Sequence, residues 1–203
     1  MSRRGRNASA SQSDGAMRPE TTIYLLRHAH AEWREDEGRP LSSDGIKAAR
    51  LVAERLADRP IAAVYTSPSR RSVETVELLA RRLGLRPEVA QDLRERELPA
   101  VPPEEFEALV REAWSSPDQA PRGGESNVRA QIRGLAVVRT VAERHVGSQV
   151  VLATHGNLLA LVLNALDRRF AYEFWRRLSF PDIYQLTFAG AELHRVERLW
   201  DAD

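Results

Sequence analysis

Thr21-Thr22-Ile23-Tyr24-Leu25-Leu26-Arg27-His28 is the stretch that decides the fold. Its first six residues form a short, β-rich apolar run, which reads as a buried strand. The run ends on two cationic or titratable side chains. Two later runs have the same form. Residues 61–67 (IAAVYTS) lead into Pro68 and the arginines Arg70 and Arg71, and residues 149–154 (QVVLAT) lead into His155-Gly156-Asn157.

Segments with helical spacing fill the gaps between these strands. In residues 41–60, Ile46, Ala49, Val52, Ala53 and Leu56 share one face, with Ser42 or Ser43 as the cap. Residues 70–84 (RRSVETVELLARRLG) read as a second helix closed by Gly84. A shorter helix follows Pro102 and Pro103. Ser126 opens a long helix running to His145, with Val128, Ile132, Leu135, Val138 and Val141 near one stripe. Residues 157–166 (NLLALVLNAL) form a largely apolar helix. Two strands, IYQLTF and ELHRVERLW, close the chain as a hairpin around Ala189-Gly190-Ala191. Alternating strands and helices define an α/β fold, a three-layer α/β/α sandwich on a mainly parallel, mixed sheet. Residues 1–20, rich in Ser, Gly, Arg and Asn, read as a disordered tail ahead of a single domain over 21–203.

Composition narrows the chemistry. There is no cysteine, which excludes disulfides, thiolate nucleophiles and cysteine-bound zinc. A formal net charge of +1 gives no general attraction to nucleic acid or membranes. No apolar run approaches a membrane span, and the N-terminus lacks the apolar stretch of a secretory signal, so the chain reads as cytoplasmic. Lys47 is the only lysine, so the positive charge is nearly all guanidinium, which suits bidentate contact with phosphate.

Sheets of this kind carry functional groups on loops at the carboxyl ends of their strands. Here those loops hold Arg27 with His28, the segment from Ser67 to Arg71, and His155 with Asn157. Two histidines and two arginines at neighbouring strand ends make a cationic pocket that fits a dianionic phosphoryl group. A pair of histidines also invites metal. The only close carboxylate is Glu32, however, and two arginines beside a cation are costly, so no metal and no cofactor are expected.

These residues fall into ordered motifs: LLRHA at 25–29, SPSRRSVET at 67–75, LRER at 93–96, GGES at 123–126 and ATHGN at 153–157. In this order they resemble the histidine phosphatase superfamily, which includes phosphoglycerate mutases and many small phosphatases. The resemblance implies a phosphoglycerate mutase-like fold and a phosphohistidine intermediate on His28. It implies phosphate binding by Arg27, Arg71, His155 and Asn157, with His155 also catalytic, and an acid–base role for Glu95. Arg96, in the place of the family's Glu-Arg arginine, is implied as substrate-binding; Arg34 is expected to join it from the loops near the mouth, where Arg39, Arg94 and Arg122 are also expected.

The family's Gly after Arg-His is here Ala29, its hydroxyl residue two places later is Ala31, and a Gly following the acid is Pro99. Ala29 resembles the small phosphohistidine phosphatases. Only a short helical segment separates Glu95 from Glu125, whereas mutases carry a long closing insertion, so a phosphatase of small phosphomonoesters is expected. A protein phosphohistidine phosphatase, a mutase-type phosphotransferase and a non-catalytic relative that binds phosphorylated ligands are the alternatives. The partner expected is a small phosphorylated metabolite, with no nucleic acid and no membrane, and a homodimer stays open.

Overall fold

The computed structural model describes residues 19–33 and 38–200. The tail expected over 1–20 thus lies outside the described residues except for its last two, and so does Arg34. The first strand already begins at Glu20.

Among the described residues, six strands form one sheet: β1 (Glu20–Arg27), β2 (Ile61–Thr66), β3 (Glu88–Val89), β4 (Gln149–Thr154), β5 (Asp182–Ala189) and β6 (Glu192–Arg198). Their spatial order is β3-β2-β4-β1-β5-β6. The first four in that order run parallel, whereas β5 is antiparallel to β1 and β6 to β5. The sheet is therefore mixed, with four parallel strands on one side and the antiparallel β5 and β6 on the other. Thr66 pairs with Ala153, and Arg27 with Thr154, so β2, β4 and β1 end side by side.

Helices cover both faces. On one side lie α1 (Ser43–Leu56) and α2 (Arg70–Arg82). On the other lie α4 (Asn127–Arg144) and α5 (Gly156–Leu166), with α3 (Pro103–Ser115) and the short α6 (Tyr172–Arg176) beyond them. Strand alternation sorts β1 between the two cores: Tyr24 and Leu26 pack with α1 and α2, Ile23 and Leu25 with α4 and α5. Among the described residues, no helix is long and apolar enough to cross a membrane.

Local signals fix the helix ends. Ser42 Oγ accepts from the Gly45 amide and Ser126 Oγ from that of Arg129. Gly84, with φ +69°, ends α2 while the Leu85 amide returns to the Ala80 carbonyl. Helical spacing misplaces two residues. Ile46 is 48% exposed, because Gly45 takes the inward position: a Cβ on it would stand 1.9 Å from the His30 carbonyl oxygen. Ile132 is 64% exposed, and the buried line of α4 runs through Ala130, Gly134, Val138 and Val141. The bulk of α5 decides this. A Cβ on Gly134 would lie 2.7 Å from Val162 and 2.8 Å from Leu158, so only a residue without one lets the two helices approach. The two-residue β3 and five-residue α6 are too short for periodicity to reveal.

Candidate active site

The ends of β1, β2 and β4 bring Arg27, His28, Arg71 and His155 into one cluster. Arg71 bridges the two rings, its Nε donating to His28 Nε2 at 3.1 Å and its Nη2 lying 3.1 Å from His155 Nδ1. The ring centroids are 5.0 Å apart.

His28 is held through the backbone of the next residue, Ala29. Its Nδ1 donates to the Ala29 carbonyl at 2.7 Å, while the Ala29 amide donates to Thr75 Oγ1 at 3.0 Å. A carbonyl only accepts, so Nδ1 carries the proton and Nε2 keeps its lone pair. Thr75 in turn donates to the Arg71 carbonyl, tying the loop after β1 to the first turn of α2. The threonine in the second motif thus supports the loop that carries His28. Burial pushes His28 well below the usual imidazole range, and His155, Arg71 and Arg27 push it the same way. Burial does the same to His155, with Arg71, Arg27, Arg133 and Arg39 adding to it. Both rings are neutral near pH 7.

Arg27 is aimed by a segment far away in sequence. Its Nη1 donates to the carbonyls of Leu178 and Ser179, and the Phe180 ring centre stands 3.3 Å from its Cζ. Asp182 holds that segment in place. It is fully buried, accepts from the Ser179 amide, and is gripped at both oxygens by Arg198 at 2.9 Å. Gly156 is small for the same guanidinium, since a Cβ there would meet Arg27 Cζ at 3.0 Å. Burial lowers the Arg27 pKa to about 10, against the pull of Glu95 and Asp182, so it stays charged. Its Nε has no partner among the described residues.

Glu95 lies at the start of α5. Its carboxylate accepts from the amides of Arg96, Asn157 and Leu158 at 2.8, 3.0 and 3.0 Å. It therefore caps the helix that begins just after His155. Asn157 faces Glu95, not the two rings, with Nδ2 3.4 Å from Oε2. Arg133 of α4 sets the whole segment, donating to the carbonyls of Asp92, Arg94 and Glu95 while paired with Glu125 at 2.7 Å. The glutamate of GGES thus anchors the loop that carries Glu95. Arg96 does not reach the cluster. It is 2% exposed, donates through Nη1 to Asn127, and leaves Nε and Nη2 without partners among the described residues. No group of three or more His, Asp or Glu that could hold a metal gathers among the described residues.

Ser67, Arg133, Phe180 and Asp182 were given no role by the sequence. Ser67 and Glu125 stood inside quoted motifs, but nothing local pointed to their partners. Phe180 and Asp182 carried no signal.

The family model of the histidine phosphatase superfamily (branch 1) matches residues 23–198. The chain belongs to that superfamily. It is 31% identical over 166 residues to a metal-independent phosphoserine phosphatase of Arabidopsis thaliana, covering 70% of this chain and 67% of the relative. It is 29% identical over 158 residues to a probable phosphoglycerate mutase of Photorhabdus laumondii, covering 71% and 74%. Among solved structures, a mycobacterial glucosyl-3-phosphoglycerate phosphatase superposes with a TM-score of 0.72 at 26% identity, over 91% of this chain and all of that one.

Proposed function

We propose that this protein is a metal-independent phosphatase that hydrolyses small phosphomonoesters through a phosphohistidine on His28. The observation that carries this reading is the Arg71 bridge, which sets the lone pair of His28 Nε2 and the ring of His155 around one guanidinium. In the first step Nε2 attacks phosphorus in line, the P–N bond forms and the ester P–O bond breaks. Arg27 and Arg71 neutralise charge on the equatorial oxygens, a task that metal ions take in other phosphoryl-transfer enzymes. Glu95 gives its proton to the departing alkoxide and then takes one from the water that cleaves the P–N bond. For that it must loosen its grip on the α5 amides and enter the first step protonated.

The short α3 supports hydrolysis over mutase-type return transfer, because a small lid leaves the phosphohistidine open to water. Phosphoserine, phosphoglycerate and glucosyl-3-phosphoglycerate, named for the relatives, are all phosphate monoesters that also bear a carboxylate. Esters of that kind are the substrate class proposed here.

The test is phosphate release across such esters, sugar phosphates and a phosphohistidine protein, with and without chelator. Release from the esters, unchanged by chelator, is expected. Turnover of the phosphohistidine protein alone would reject the substrate class. Activity lost with chelator and restored by Mg or Zn would reject the mechanism.

A further inference from the structure

Ser67 is fully buried, and its Oγ sits 2.7 Å from His155 Nε2. The opposite nitrogen of that ring, Nδ1, faces Arg71 Nη2. A guanidinium has only donors, so Nδ1 holds a lone pair and the neutral ring carries its proton on Nε2. Ser67 therefore accepts from His155. It also accepts from the Ser69 amide at 3.4 Å. Its own hydroxyl proton has no acceptor among the described residues other than the nitrogen that is donating to it.

This arrangement suits Arg71 but not a phosphoryl group. A phosphoryl oxygen between Arg71 and His155 needs a donor at Nδ1, where the ring now has a lone pair. A second proton on the ring is opposed by burial and by Arg71 from α2, Arg27 from β1, Arg133 from α4 and Arg39 from the loop before α1. His28, across the pocket, is neutral, and Glu95 spends its carboxylate on the start of α5. A hydroxyl offers another route, because it can donate as readily as it accepts.

We propose that Ser67 is a positioning residue that supports both neutral tautomers of His155, accepting from Nε2 in the free protein and donating to Nε2 when a phosphoryl group is bound. His155 then gives Nδ1–H to a phosphoryl oxygen while remaining neutral. One proton leaves Nε2 and one arrives at Nδ1, both exchanged with solvent, and Ser67 keeps its own. Net uptake on the ring is zero. The inference rests on the phosphatase reading above.

Nitrogen NMR of the histidine rings, with inorganic phosphate as the probe, tests it on the full chain. In the free protein His155 Nε2 should be protonated and Nδ1 bare, and saturating phosphate should exchange the two. A ring protonated at both nitrogens, or one that keeps its proton on Nε2, overturns the proposal. Ser67→Ala should weaken phosphate binding about tenfold, the scale of one lost hydrogen bond. Without a hydroxyl to donate to a bare Nε2, phosphate should move the ring proton from Nε2 to Nδ1 only in part. Ser67→Thr, which keeps the hydroxyl, should restore both affinity and the exchange. Unchanged affinity and tautomer in Ser67→Ala would overturn the role. If phosphate shifts neither His28 nor His155 in the wild type, the phosphatase reading itself fails and takes this inference with it.

Discussion

His28 Nδ1 lies 2.7 Å from the carbonyl oxygen of Ala29, its own neighbour in the chain. On the proposed mechanism that short contact decides which nitrogen reacts, because it consumes the ring's only proton and leaves the lone pair on Nε2. The phosphoenzyme should therefore carry phosphate on Nε2 of His28, as an acid-labile adduct seen by phosphorus NMR after a rapid quench. His28→Ala should lose both adduct and turnover with little change in melting temperature. Phosphate on Nδ1, or turnover within tenfold of wild type, would remove His28 from this role.

Burial and the neighbouring guanidinium groups keep the His28 and His155 rings neutral in the folded chain at pH values where a free imidazole protonates. In the unfolded chain each titrates near its ordinary value of about 6.5. As pH falls below that value the unfolded state binds more protons than the folded one, so stability declines there; above it both states are neutral and these rings contribute no slope. Melting temperature should thus drop on acidification through about pH 6. Meanwhile kcat/KM, corrected for the second ionisation of the substrate near about pH 6, should show no inflection at about 6.5. An acid limb at that value would mean that His28 titrates as a solvated ring.

Gly156 and Arg27 define a close approach that a methyl group would spoil. A Cβ at Gly156 would stand 3.0 Å from both Cζ and Nε of Arg27, which is pinned by the Leu178 carbonyl and the Phe180 ring. Gly156→Ala should displace the guanidinium by a few tenths of an ångström. Misplacement by a whole ångström costs about 10²-fold, so a loss of about tenfold in kcat/KM is expected, with the melting temperature nearly unchanged. Wild-type kinetics in this variant would show that Arg27 has no positional demand.

What the sequence made legible was local. Arg27, His28, Arg71 and His155 each stand within a few residues of an apolar strand, and parallel neighbours put those strand ends together. The supports were not legible, because they join distant points of the chain. Arg27 reaches the Leu178 carbonyl across 151 positions, and Ser67 meets His155 across 88. Periodicity failed at Ile46 and Ile132 for a related reason. It weighs a side chain by its hydrophobicity and has no view of the neighbour against which only Gly45 or Gly134 fits.

Glu95 is the residue for which motif and geometry make different demands. The motif implies an acid, while the carboxylate serves as acceptor for three backbone amides. The two roles separate by leaving group. An alkoxide needs a proton in the transition state, whereas p-nitrophenolate departs without one. Glu95→Gln should slow phosphoenzyme formation from an alkyl phosphate by about 10²-fold or more, and from p-nitrophenyl phosphate much less. Single-turnover rates are required, because the proposed mechanism also has Glu95 act on water in the second step. The helix-capping role predicts a separate loss of about 0.5–2 kcal/mol in stability, read from denaturant midpoints. If the stability loss appears and both esters slow equally in the first step, Glu95 is a cap alone. Glu97 or Glu32 should then be tested as the acid.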